Sequence, residues 1–127
     1  MASPSMTTGN SAGNLLASTT VSHTGTPVTF NVDVSAKFEA QIQLSATFGT
    51  VAATAGLQVT VYRRIGSGPA VDTNAVTQFV VPAVASTTSL QSFALPTGRY
   101  QVSLKDLDTT NDVTSVTATD DTVDSVA

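Results

Sequence analysis

VTFNVDVSAKFEAQIQLSATF, the stretch from Val28 to Phe48, decides how this chain folds. Every even position from Val28 to Phe48 is apolar, and every odd position from Thr29 to Thr47 is polar. A period of two without a miss is the mark of a strand with one buried face and one wet face. A single strand of that length would exceed the usual 3 to 10 residues, so a bend at Ser35 to Lys37 should divide it into Val28 to Val34 and Lys37 to Phe48. No Gly, Asn or Pro sits at that junction, which speaks against a two-residue hairpin and for a bend or a crossing.

Outward from this stretch the same pattern recurs. Asn14 to Ser22 alternates weakly, as an edge strand would, and HTGTP from His23 to Pro27 forms a turn that lets proline open the next strand. After the small-residue loop Gly49 to Gly56, a strand runs from Leu57 to Ile65 and stops at Gly66 to Pro69. A turn is expected at Asp72 to Asn74, then strands at Ala75 to Val81 and Ser86 to Leu95. Pro96 to Gly98 turn the chain into Arg99 to Leu107, with Tyr100, Val102 and Leu104 inward. A turn at Asp108 to Asp112 leads to a last strand, Val113 to Thr119. No segment repeats its apolar residues at helical spacing. The expectation is an all-β chain: a single antiparallel β-sandwich of seven or eight strands over residues 14–120. A flexible N-terminal arm, Met1 to Gly13, precedes it, and a fraying tail follows over 121–127.

Composition narrows the function classes. At 127 residues and 41% hydrophobic, the chain suffices for one domain with a real core. Charged residues make up 11%, against about 25% in an average soluble domain, and Ser plus Thr outnumber them well over twofold. The net charge of -4 and the five Lys and Arg residues speak against a nucleic-acid partner, which would need clustered cations. Arg63 and Arg64 are adjacent and read as a solvated strand end, with a small anion or a partner as the functional alternative. There is no cysteine, hence no disulfide and no thiolate metal site. No apolar run is long enough to span a membrane, and Met1 to Gly13 lacks the features of a secretory signal. Synthesis in a cytoplasm is expected, and a chain without cysteine suits later survival outside the cell.

LPTGRYQVSLKDL, Leu95 to Leu107, resembles the E to F corner and F strand of immunoglobulin-like sandwiches, in which a tyrosine hydroxyl ties the corner to backbone upstream. Tyr100 would be that tyrosine, and the seven strands from Val28 to Thr119 would then map onto strands A to G. An eight-stranded jelly roll fits the strand count as well. In overall character the chain resembles accessory virion proteins of tailed bacteriophages: capsid decoration or cement proteins, or small tail and fibre components. That resemblance implies a homo-oligomer, a trimer in many such families, clamped onto the major capsid protein or other virion proteins. The N-terminal arm would contribute, and the protein would reside in the virion.

Catalytic chemistry finds little to work with, and no catalytic, cofactor-binding or metal site is assigned. His23 is the single histidine and has no carboxylate near it in sequence. The serines lack the strand-turn-helix context of a nucleophile elbow. Asp106, Asp108, Asn111 and Asp112, joined by Asp120 and Asp121 if the fold brings them close, offer oxygens that calcium could use. They lack the glycine and closing glutamate of an EF-hand, and acidic turn residues commonly bind their own backbone. Tyr62, expected to point outward from its strand, is the candidate for stacking on a sugar, the alternative being a receptor- or glycan-binding module. The leading expectation is a non-enzymatic structural protein that binds other virion proteins through its arm and through loops Gly49 to Gly56 and Gly66 to Asn74.

Overall fold

The computed structural model describes residues 6–9, 14–34, 39–49, 55–65 and 71–126. Among these residues there are nine strands and no helix: β1 (Met6–Gly9), β2 (Asn14–Val21), β3 (Val28–Asp33), β4 (Glu39–Phe48), β5 (Leu57–Arg64), β6 (Val71–Val81), β7 (Thr88–Pro96), β8 (Arg99–Asp106) and β9 (Val113–Val126). The break in the long alternating stretch falls between β3 and β4, where it was expected. The bend itself, Ser35 to Lys37, lies outside the described residues, as do most of loops Gly49 to Gly56 and Gly66 to Pro69.

Two antiparallel sheets are formed. One has the order β1-β9-β4-β7, with β2 also paired to β9; the other is β3-β8-β5-β6. From β2 to β9, every step along the chain crosses from one sheet to the other except the β5–β6 hairpin. The antiparallel sandwich read from the sequence is present, and its strands follow the double Greek-key order of a jelly roll. The immunoglobulin-like mapping is corrected in three places, one being that the fourth mapped strand, β6, pairs with the third, β5, and not with the fifth, β7. The mapping would also set the first of the seven mapped strands beside the second and the seventh beside the sixth. Instead β3 pairs with β8, and β9 pairs with β4. Both arrangements bury the same faces of the same strands, so alternation alone does not separate them.

Three boundaries differ from the sequence reading. Met6–Gly9, within the expected arm, is a strand paired with Thr122 to Val126, and β9 thereby runs through most of the expected tail. The residues from Asp120 to Val126 alternate apolar and polar only weakly, and it is backbone pairing to β1 and β4 that extends the strand. Met1 to Ser5 and residues 10–13 of the arm lie outside the described residues. The turn expected at Asp72 to Asn74 is instead part of β6. Asp72 Oδ1 does accept the Asn74 N–H at 3.0 Å, the side-chain bond that makes Asp a turn former, but here it marks an irregular stretch of an edge strand.

Burial follows the alternation. Ala40, Ile42, Leu44, Ala46 and Phe48 on β4 are at most 1% exposed and face Val59, Val61, Val102 and Leu104 of the other sheet within one apolar cluster. Tyr100 is the largest fully buried side chain, and its hydroxyl donates to the Pro96 carbonyl at 2.9 Å. The tyrosine tie expected at this corner is thus made, although the surrounding strand order is a jelly roll. Gly98 makes room for it, since a Cβ there would lie 2.9 Å from the Tyr100 hydroxyl. Tyr100→Phe, which removes the donor and keeps the ring, is expected to cost about 1 to 2 kcal/mol in urea unfolding. An unchanged midpoint would mean that the hydroxyl does not hold the corner.

Candidate functional site

The acidic loop after β8 closes on itself. Asp106 Oδ1 accepts the Asp108 N–H at 2.9 Å, and Asp108 Oδ1 accepts from the Thr110 N–H, the Thr110 hydroxyl and the Asn111 N–H at 2.8 to 3.1 Å. Asp112 Oδ1 accepts the His23 N–H at 2.9 Å and lies 2.6 Å from His23 Nδ1. These oxygens serve backbone and neighbouring side chains, as acidic turn residues commonly do. Asp120 does not join them. It faces inward on β9 opposite Ile42, seven residues beyond Val113, which at ~3.4 Å per residue places it ~24 Å along the strand. Among the described residues no three His, Asp or Glu side chains are grouped so as to hold a metal ion.

Sequence reading missed the partner of His23, because Asp112 is 89 residues away. The pair ties the β2–β3 turn to the β8–β9 loop. An ionised carboxylate only accepts, so Nδ1 carries the proton between them. The nearest hydroxyls, Ser22 and Thr24, bond to each other at 2.9 Å. Both members of the pair are about two-fifths exposed, and the contact serves as a surface clasp.

Asp106 is a different case. It is 2% exposed, at the last inward position of β8 after Tyr100, Val102 and Leu104, and no hydrogen bond reaches its Oδ2. Burial pushes its pKa up from 3.8, the Asp108 N–H pulls it down, and the charges of Asp108 and Asp112 push it further up. A raised native pKa means that, above pH 3.8, the folded state holds this proton more tightly than the unfolded chain. The contribution of Asp106 to stability therefore declines as pH rises through that window. Asp112 has the opposite sign: the bonds from His23 lower its pKa, so its contribution is lost as pH falls through the native value. In urea unfolding followed from about pH 2 to 7, Asp106→Asn is expected to lose the first dependence, which lies above pH 3.8, and to keep the second, which lies below it. Parallel pH curves for the two proteins would show that Asp106 is not strained by its burial.

The outer faces of both sheets are hydroxyl and amide surfaces. Gln41, Gln43, Ser92 and Thr119 line a shallow depression of about 300 Å³ on one of them. Tyr62 lies on the outer face of the other sheet, half-buried between Gln101 and Ala75. Arg63 is exposed and Arg64 half-buried at the end of β5. Arg99 sits 3.6 Å from Asp33 across the β3–β8 pair.

One side of the sandwich departs from this polar character. β6 and β7 are the outer strands of their sheets on the same side, where Phe79 and Phe93 meet edge to face at 5.4 Å. Among the described residues, four of the five exposed large apolar side chains belong to β6, β7 or the loop between them: Val76, Val80, Val84 and Leu90. Leu90 is 63% exposed, between Thr88 and Ser92 on the outer face of β7. Scattered exposed valines are ordinary, but a group along one side reads as a contact surface. The sequence signal was available in Leu90 and Val80, which fall on the polar side of their strands; which edge they would share was not.

No protein-family model matches the chain, and no curated protein sequence matches it. Among solved structures, a chain of infectious bursal disease virus, Gt strain, matches 94% of this chain and 32% of its own length, with 15% identity and a TM-score of 0.50. A chain of cowpea mosaic virus, from naturally occurring empty particles, matches 72% of this chain and 56% of its own at 15% identity and a TM-score of 0.44. A CBM4 structure matches 80% and 59% at 10% identity and a TM-score of 0.43. This chain spans about a third of the length of the first of these and under two thirds of the other two. What the first likeness shows is the fold, a β-sandwich.

Proposed function

We propose that the chain is a non-enzymatic structural protein of a virus particle, and more narrowly of a tailed-phage particle, where it binds other virion proteins and reinforces or decorates the shell. The observation that carries this reading is the apolar side along β6 and β7, on a domain whose two outer sheet faces are mostly hydroxyl and amide among the described residues and whose interior is filled with packed side chains. A rigid domain with one sticky side does its work by covering area. Seated across a seam between shell subunits, it adds its interface to the energy of separating them. With few charges on its surface, such attachment should depend weakly on salt. The likeness in fold to a virus-particle chain supports the same reading. A glycan-binding tip would rest on Tyr62, half-buried and without a second outward aromatic among the described residues.

The test is particle-based. Quantitative mass spectrometry of purified particles should find the chain in hundreds of copies, and shells lacking it should open at a lower temperature and regain their resistance on its addition. A handful of copies per particle, or specific hits on a glycan array, would overturn the shell role.

A further inference from the structure

The open side of the sandwich ends in a strand edge that no described residue pairs with, and the geometry points to β7 pairing antiparallel with β7 of a second copy of this chain. This deepens the assembly reading by naming one partner, and it rests on that reading in taking the β6–β7 side as a contact surface. Sheet edges recruit further strands unless charge, proline, a bulge or a covering element blocks them. The other edges of this sandwich are blocked or short. On the far side of the first sheet the edge is shared by β1, four residues long, and β2, whose register with β9 shifts at three places. In the second sheet β3 spans six residues between Pro27 and the end of the strand at Asp33. β6 shifts register around Val76 and again between Val71 and Ala75, with the Asn74 N–H occupied by Asp72.

β7 has none of these devices. It pairs with β4 from Thr88↔Thr47 to Pro96↔Glu39 without a shift, and it carries no charged side chain and no proline before its last residue. It is also self-complementary. A two-fold axis at Ser92 places Ser92 beside its own copy and the exposed Leu90 beside the small Ala94, on the same outer face. Glu39, paired with Pro96, would lie eight residues along from its counterpart, ~27 Å away and well beyond the ~8 to 10 Å over which charges are felt in salt. The net charge of -4 on each copy therefore does not oppose contact here. A nine-residue strand is ~30 Å long and the sandwich side ~20 Å deep, giving ~1,200 Å² buried in total, the lower end for a specific interface.

The experiment uses the full chain at high micromolar concentration. Sedimentation equilibrium should give twice the 12.9 kDa chain mass. Leu90→Lys, at an exposed position, should return the monomer with an unchanged melting curve. Because the chain has no cysteine, Ser92→Cys is a clean probe: strands paired at this residue hold the two Cα atoms within disulfide range. It should cross-link under mild oxidation at least tenfold faster than Thr29→Cys, exposed on the edge strand β3. A monomeric or trimeric mass, a dimer indifferent to Leu90→Lys, or equal cross-linking at the two positions would each overturn the β7 pairing. If the chain is monomeric while Leu90→Lys abolishes particle binding, the edge serves a shell protein and the second-copy proposal falls, with the proposed function intact. A dimer that never binds particles would have the converse meaning.

Discussion

Gly56→Ala is expected to lower the unfolding free energy by about 3 kcal/mol, a large loss for the addition of one methyl group. Gly56 is buried where the chain enters β5, directly before the Leu57↔Val81 pair that begins the hairpin with β6. A Cβ there would collide with the Val81 carbonyl oxygen and lie 2.8 Å from Val80 Cγ1. The obstacle is backbone, which a rotamer change cannot move aside. The Gly56 carbonyl also accepts the Leu107 N–H at 3.1 Å, so displacing this residue disturbs β5, β6 and the loop after β8 together. Gly25 supplies the contrast. It has a positive φ of 90° but no atom within 4 Å of its would-be Cβ, and alanine there should cost only about 1 kcal/mol of backbone strain. Urea unfolding of the two variants measures the difference. Equal losses would mean that the Leu57↔Val81 register is wrong.

Leu44→Ala is expected to cost about 2 to 5 kcal/mol, while Gln43→Ala, one residue earlier, should stay within about 0.5 kcal/mol of the parent. Leu44 is fully buried at the middle of β4 between β7 and β9, and neighbouring side chains are held by both sheets, so the cavity left by truncation cannot collapse. Gln43 points outward beside Ser92 and Thr119. The pair of substitutions tests the alternation on which the fold rests. Comparable costs at both positions would place β4 in another register, since a slip of one residue exchanges the faces.

How much of this was legible in the sequence depends on whether the information was local. The period of two from Val28 to Phe48 fixes which side chains face inward, and those on β3 and β4 do so. The Tyr100 tie spans four residues and was readable from Leu95 to Leu107. Strand neighbours were not readable, because a buried apolar face packs as well in an immunoglobulin order as in a jelly roll. The outcome is decided by backbone pairings between distant segments, such as β9 with β4. The same limit hid the His23 and Asp112 clasp and the role of Gly56, whose constraint comes from Val81. Asp72 to Asn74 failed for another reason. The turn chemistry was read correctly, but the same side-chain bond can sit inside an irregular edge strand. The apolar side along β6 and β7 was half visible: Leu90 and Val80 break the polar pattern of their faces, but only the strand order brings them to one edge.

The position of β9 has a consequence for how the molecule reaches this state. It lies between β4 on one side and β1 and β2, which share its other edge, so the first sheet has no continuous interior until β9 is in place. Its pairings with β1 and β2 join opposite ends of the chain, and the loop-closure entropy of such contacts must be met before they contribute. Acquisition of the native state should therefore be slow, in milliseconds to seconds, and a nascent chain halted before Val113 should stay sensitive to protease on the ribosome, becoming resistant only after β9 has cleared the exit tunnel.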